Sequence, residues 1–139
     1  MNLTGTHRAG LGAVLVLLGS LNAAAALDCD TAADQASLNE CASMDYAAAD
    51  TRLNETYKRI VARLSDLPEF RAALTKAQRA WITYRDAECA FATAAVAEGS
   101  AYPMIANYCL AGLTQARVQD LETYFNCEEG DLSCPVPSE

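Results

Sequence analysis

Apolar residues recur along this chain with the period of a helix. From Tyr46 they fall at Tyr46, Ala49, Leu53, Tyr57, Ile60, Leu64 and Leu67. Steps of three and four place them on one stripe of an α-helix. Arg52, Glu55, Lys58, Arg59 and Arg63 lie off that stripe, where water can reach them. Pro68 interrupts the pattern and fits the first turn of a new helix, capped by Ser65 or Asp66. This second helix is predicted from about Glu69 to Ala97. Its stripe is Phe70, Leu74, Ala77, Trp81, Tyr84, Glu88 and Phe91, broken only at Glu88. Gly99 and Ser100 stop it. Pro103 starts a third helix with Ile105, Cys109, Leu113, Ala116 and Leu121 facing inward, ending near Phe125. Thr31 to Ala42 predicts a shorter helix, with Thr31 as its cap. No segment alternates with period two for the length of a strand. The pattern predicts an all-α fold, a small disulfide-stapled helical bundle of three long helices and one shorter helix.

Residues 1–26 have a different character. His7 and Arg8 precede an apolar run from Leu11 to Leu21, and Ala23 to Ala26 supply small residues for cleavage. That is the composition of a secretory signal peptide, and the run is short for a bilayer span. Cys29 follows Ala26, Leu27 and Asp28, and Asp28 argues against a lipid-modified cysteine. The expected organisation is a signal peptide over 1–26, a helical domain over 27–126 and a disulfide-closed tail over 127–139. The tail holds Gly130, Pro135 and Pro137.

Export changes the charge and the chemistry. The whole chain has 10 Lys and Arg against 18 Asp and Glu, a net charge of −8. Cleavage removes Arg8 and no acid, so 9 basic residues face 18 acidic ones, a net charge of −9. An acidic chain without a basic tract is a poor match for nucleic acid or an anionic membrane surface, and it permits a basic partner. Cleavage also removes His7, the single histidine. Histidine-dependent nucleophilic catalysis and histidine-ligated zinc are then excluded. No phosphate loop, nucleophile elbow or metal-ligand spacing occurs. Asp86 and Glu88 are two apart on a helix and do not face each other. The expectation is a protein that is not an enzyme and needs no metal or cofactor.

Six cysteines in an exported chain predict three disulfides. Cys89 lies about nine residues before the Glu98–Ala101 turn, and Cys109 lies six after Pro103. At about 1.5 Å per residue they reach comparable heights on antiparallel neighbours. Cys127 and Cys134 form a local staple. Cys29 and Cys41 remain by elimination, although a continuous helix would separate them by about 18 Å against a limit near 7 Å. Either Cys29 folds back over a short helix or that pairing is wrong.

The segment Ala77-Gln78-Arg79-Ala80-Trp81-Ile82-Thr83-Tyr84-Arg85-Asp86-Ala87-Glu88-Cys89 resembles the signature of the LprI-type lysozyme inhibitor family. Ala49-Asp50, Leu53-Asn54 and Tyr57 resemble its A-D-x-x-L-N-x-x-Y run. Gly99-Ser100 with Tyr102-Pro103 resembles its inter-helix turn, and Cys109, Leu113-Thr114 and Arg117 its last helix. The likeness covers roughly Cys29 to Phe125. It implies a small secreted helical protein that binds lysozyme non-covalently and blocks peptidoglycan hydrolysis. The family's founding member is a lipoprotein; without a lipid-attachment cysteine, this chain is expected to be soluble and periplasmic. The competing expectation is a periplasmic interaction or structural module with another partner on the same fold.

Several residues carry two readings. Arg79, Arg85, Asp86 and Glu88 form either a partner surface or an ion-pair network reaching Asp50, Asn54 or Arg117. Trp81 is expected in the core. Ser100 and Tyr102 either project from a stapled turn to meet the two carboxylates of a lysozyme cleft, or simply turn the chain with Gly99 and Pro103. The candidate partner-binding residues are Ser100, Tyr102, Arg79 and Arg85. The oligomeric state is left open.

Overall fold

A carboxylate sets the start of the first helix. In the computed structural model, which describes residues 27–128 and 130–137, Asp34 is the N-cap of α1, Gln35–Arg63. The expected signal peptide lies outside the described residues. The Asp34 carboxylate accepts hydrogen bonds from the Ser37 hydroxyl at 2.6 Å and the Ser37 amide at 3.0 Å. Those bonds, the hydroxyl's first, hold the Asp34 carboxyl below its ordinary range. The cap's contribution is therefore complete above the ordinary carboxylate pKa and is lost as pH falls through the lowered one.

The short helix expected over Thr31 to Ala42 does not form separately. Thr31 closes a turn instead, its hydroxyl donating to the Asp28 carboxylate at 3.1 Å. No glycine or proline separates Ala42 from Tyr46, so a single helix runs through both. Helix α2 spans Pro68–Ala92, with Pro68 in its first turn as predicted. Its N-cap is Leu67, not Ser65 or Asp66, and no side chain caps it. It ends earlier than predicted. The buried Thr93 hydroxyl donates back to the Cys89 carbonyl at 2.7 Å, and Ala94–Val96 tighten into a 3₁₀ turn. Helix α3 spans Tyr102–Thr123. The described residues form three long helices and this one short turn, with no strand.

Side-chain contacts give the directions. Gln35 meets Met104, Asn39 meets Ser100, and Arg52 meets Glu122, so α1 and α3 run parallel. Asp50 approaches Arg85 and Tyr57 meets Thr75, so α2 runs antiparallel to α1. Helices α1 and α3 lie closest together. Buried Ala42, Ala49 and Ala111 allow that approach because they carry no bulk beyond Cβ. The core then joins Leu53, Ile60 and Leu64 of α1 and its C-cap to Val118 and Leu121 of α3. Each fully buried aliphatic side chain contributes about 1.5–3 kcal/mol. The tail enters too: Val136 is 2% exposed and packs on this cluster.

Two inward faces differ from the sequence pattern. On α2, Phe70, Tyr84 and Phe91 are exposed, while Gln78, Arg85 and Cys89 are buried. On α3, the buried line is Ala111, Thr114, Val118 and Leu121, while Ala116 is exposed. Helix α3 is contacted from two sides, so one apolar stripe does not describe it.

The disulfides join Cys29 to Cys41, Cys89 to Cys109 and Cys127 to Cys134, with Cα separations of 5.6, 5.7 and 5.6 Å. Cys29 reaches Cys41 because the chain before Gln35 is not helical and folds back. One atom of the interior is ill-matched. The Thr114 hydroxyl is buried without a hydrogen-bond partner among the described residues. A buried unsatisfied hydroxyl costs about 1–3 kcal/mol, and valine has the same shape without it. Thr114→Val is expected to raise unfolding stability by about 1 kcal/mol in urea titration; an equal loss would show that the hydroxyl is satisfied.

Candidate functional site

The most constrained side chain is a cation. Arg85 is 7% exposed on the inward face of α2. Its guanidinium lies 5.5 Å from the Tyr46 ring centroid and 5.3 Å from that of Trp81. Nε and Nη2 donate to one carboxylate oxygen of Asp86 at 2.9 and 2.7 Å. Asp50 of α1 adds a second carboxylate at 3.9 Å, and the Asn54 amide holds it at 2.9 Å. Trp81 also faces Arg117 of α3 at 6.0 Å, and Arg117 donates to Gln78 at 3.2 Å. One guanidinium and one indole thus connect all three helices. A guanidinium can do this because it is planar, stacks on rings and presents its donors as a fork.

Of the two readings of Arg85, the geometry matches the ion-pair network: the side chain is 7% exposed and its Nε and Nη2 are engaged by Asp86. Asp86 is exposed but committed to Arg85. Arg79 lies six residues earlier on α2, is exposed, and lines a groove between α1 and α2. Trp81 is half-buried against the core, where the sequence placed it.

Ser100 and Tyr102 sit at the α2–α3 turn, both exposed. The turn is pinned from several directions. The Gly99 amide donates to Val96 at 2.9 Å and the Tyr102 amide to Gly99 at 3.0 Å. The Asn39 side chain donates to the Ser100 carbonyl at 3.1 Å, tying the turn to α1. The Cys89–Cys109 bridge holds the helices that flank it. The Ser100 hydroxyl has no described hydrogen bond. Phe91, in the last turn of α2, is 80% exposed. The sequence stripe placed it inside. Its exposure follows from Cys89, which faces α3 and turns position 91 about 200° away.

The four candidate contact residues therefore do not form one patch. Ser100 and Tyr102 share one end, Arg79 lies toward the other, and Arg85 is interior. Among the described residues, no group of His, Cys, Asp and Glu is arranged to hold a metal ion. No helix among them is long and apolar enough to cross a membrane.

Comparison with known proteins adds the following. The family model for lysozyme inhibitor LprI matches residues 28–121. An uncharacterized protein of Rhizobium meliloti (strain 1021) is 42% identical over 113 residues, covering 73% of this chain and 81% of that protein. No solved structure matches the chain. The matched span contains all of α1 and α2 and nearly all of α3, and stops before the stapled tail.

The Arg85 arrangement is testable by stability. Arg85→Ala should lower unfolding stability by about 2–3 kcal/mol, since it removes two ring contacts and strands two half-exposed carboxylates. Arg85→Lys should recover less than half of that loss in the same urea titration, because an ammonium cannot stack and fork together. Full recovery would mean that only the charge matters.

Proposed function

The chain belongs to the LprI lysozyme inhibitor family, and we propose that it is an exported periplasmic protein that binds lysozyme non-covalently and blocks peptidoglycan hydrolysis. The family match across the three-helix body carries this reading. The charge supports it. With 9 basic and 18 acidic residues after residue 26, the chain attracts a cationic enzyme over long range. The reading involves no covalent chemistry of the chain's own.

The contact surface we assign is the end of the bundle that carries Ser100, Tyr102 and Phe91. A disulfide and backbone bonds pre-order this turn, which lowers the entropy cost of docking. Tyr102 and Phe91 present aromatic surface of the kind that dominates interface energetics. The Ser100 hydroxyl supplies a donor for a carboxylate in a glycan-cleaving cleft.

A second reading has its own observation. Asp50, Asn54, Trp81, Arg85 and Asp86, all within the family-like motifs, face one another and hold the helices together. A match on such residues tracks the architecture, which could serve an interaction module with a different partner.

Turbidity clearing by several lysozymes separates the two. Mature protein should inhibit in proportion to dose, and less as salt shortens the screening length from about 10 Å at 0.1 M to about 3 Å at 1 M. Failure against every lysozyme type would favour the second reading. Given inhibition, Ser100→Ala with Tyr102→Ala, or Phe91→Ala alone, should weaken it about tenfold or more while leaving the melting temperature unchanged. Undiminished inhibition by both variants would remove the turn from the interface.

A further inference from the structure

The charge of this chain is unevenly spread. Among the described residues, Arg52, Arg85 and Arg117 are engaged with carboxylates, and Arg59 and Arg63 stack on Phe125. Arg71, Lys76 and Arg79 enter no ion pair, yet all three line one groove between α1 and α2. The groove has a volume of about 580 Å³. Its walls include Val61, Pro68 and Ala72, with the Tyr57 ring at its inner side. The Tyr57 and Thr75 hydroxyls are not free donors. They bond each other at 3.1 Å, and Thr75 donates to the Arg71 carbonyl at 2.8 Å, so they clip α1 to α2. The donors left facing the groove are the three cations. A second hollow, sharing Tyr57, Thr75 and Arg79, continues it toward Asp50, Asn54 and Ile82, so an acidic segment is confined to the stretch from Arg71 to Arg79.

We propose that this groove is a binding site for a short acidic peptide segment, lying extended along α2 with its carboxylates on Arg71, Lys76 and Arg79. The volume is in the range of built ligand sites, about 300–1,000 Å³. The spacing is linear. Arg71 and Arg79 are eight residues apart on a helix, about 12 Å. Side chains on one face of an extended peptide recur about every 6.8 Å, so three alternate carboxylates span about 14 Å. The apolar walls suit small side chains between them. The net negative charge of the whole protein disfavours long polyanions such as nucleic acid, which would feel the acidic remainder. A short segment with two or three charges avoids most of it.

This site is distinct from the turn assigned to lysozyme. Ser100 contacts α1 at Asn39, whereas the groove meets α1 at Tyr57 and Val61. Eighteen residues of helix separate Asn39 from Tyr57, about 27 Å. The inference therefore does not depend on lysozyme inhibition.

The test is calorimetric titration of the mature protein with a doubly blocked five-residue peptide alternating glutamate and alanine. Saturable one-to-one binding that weakens with salt is expected, with amide shifts in NMR centred on Val61, Ala72 and Thr75. Arg71→Glu with Arg79→Glu should weaken binding about tenfold or more, while Lys58→Glu, outside the groove, should change it less than about twofold. Both altered arginines are exposed, and circular dichroism checks that the fold is kept. Absence of saturable binding, or undiminished binding by the double variant, overturns the site. Citrate binding as tightly as the peptide, with the same shifts, overturns the peptide assignment in favour of a small carboxylate.

Discussion

The structure depends on where the Arg85 guanidinium can rest. A cation removed from water needs compensation on every side. Here Tyr46 and Trp81 supply aromatic faces, and Asp86 and Asp50 supply charge. These groups come from two helices, and Trp81 extends the contact to Arg117 on a third. Helix α2 lies farther from its neighbours than they lie from each other, and long side chains fill the gap. Its angle and register are consequently set by a polar and aromatic layer, whereas the α1–α3 pair is set by alanines and aliphatic packing. The two layers differ in sensitivity. Aliphatic packing tolerates swaps of similar volume, but the guanidinium layer requires planarity, charge and length together.

The same constraint separates framework from surface. The residues that resemble a family signature are largely those that engage one another between the helices. Asn54 holds Asp50, Asp50 faces Arg85, Asp86 forks onto Arg85, and Gln78 accepts from Arg117. What is left for recognition lies elsewhere: the pinned turn with Ser100 and Tyr102 at one end, and the basic groove toward the other. The disulfides reinforce this division. Cys29–Cys41 and Cys89–Cys109 brace the end that carries the turn, and Cys127–Cys134 closes the tail that delivers Val136 to the core.

Much of this was legible in the residue order. Three- and four-residue steps marked α1, Pro68 marked the start of α2, and Gly99 and Pro103 bracketed the turn. The burial of Arg85 was also encoded, though not where hydrophobicity alone looks for it. A Cys89 that reaches Cys109 must face α3, and positions 85, 81 and 78 share its face of the helix. Following that face instead of the apolar stripe turns Arg85 and Gln78 inward and Phe91 outward. Glu88, the one break in the apolar stripe, was the sign that the stripe was misplaced.

The sequence by itself determined that the chain is helical, acidic and rich in paired cysteines, because periodicity, charge and cysteine content are local or additive properties. It also located the turn between α2 and α3. Only the tertiary structure decided which rings and carboxylates surround Arg85, that α1 absorbs the short helix, that Val136 returns to the core, and that three cations without an ion pair among the described residues line one groove. Those outcomes depend on which surfaces meet. A buried arginine is favourable only once rings and carboxylates from separate helices converge on it, and no window along the chain contains that convergence.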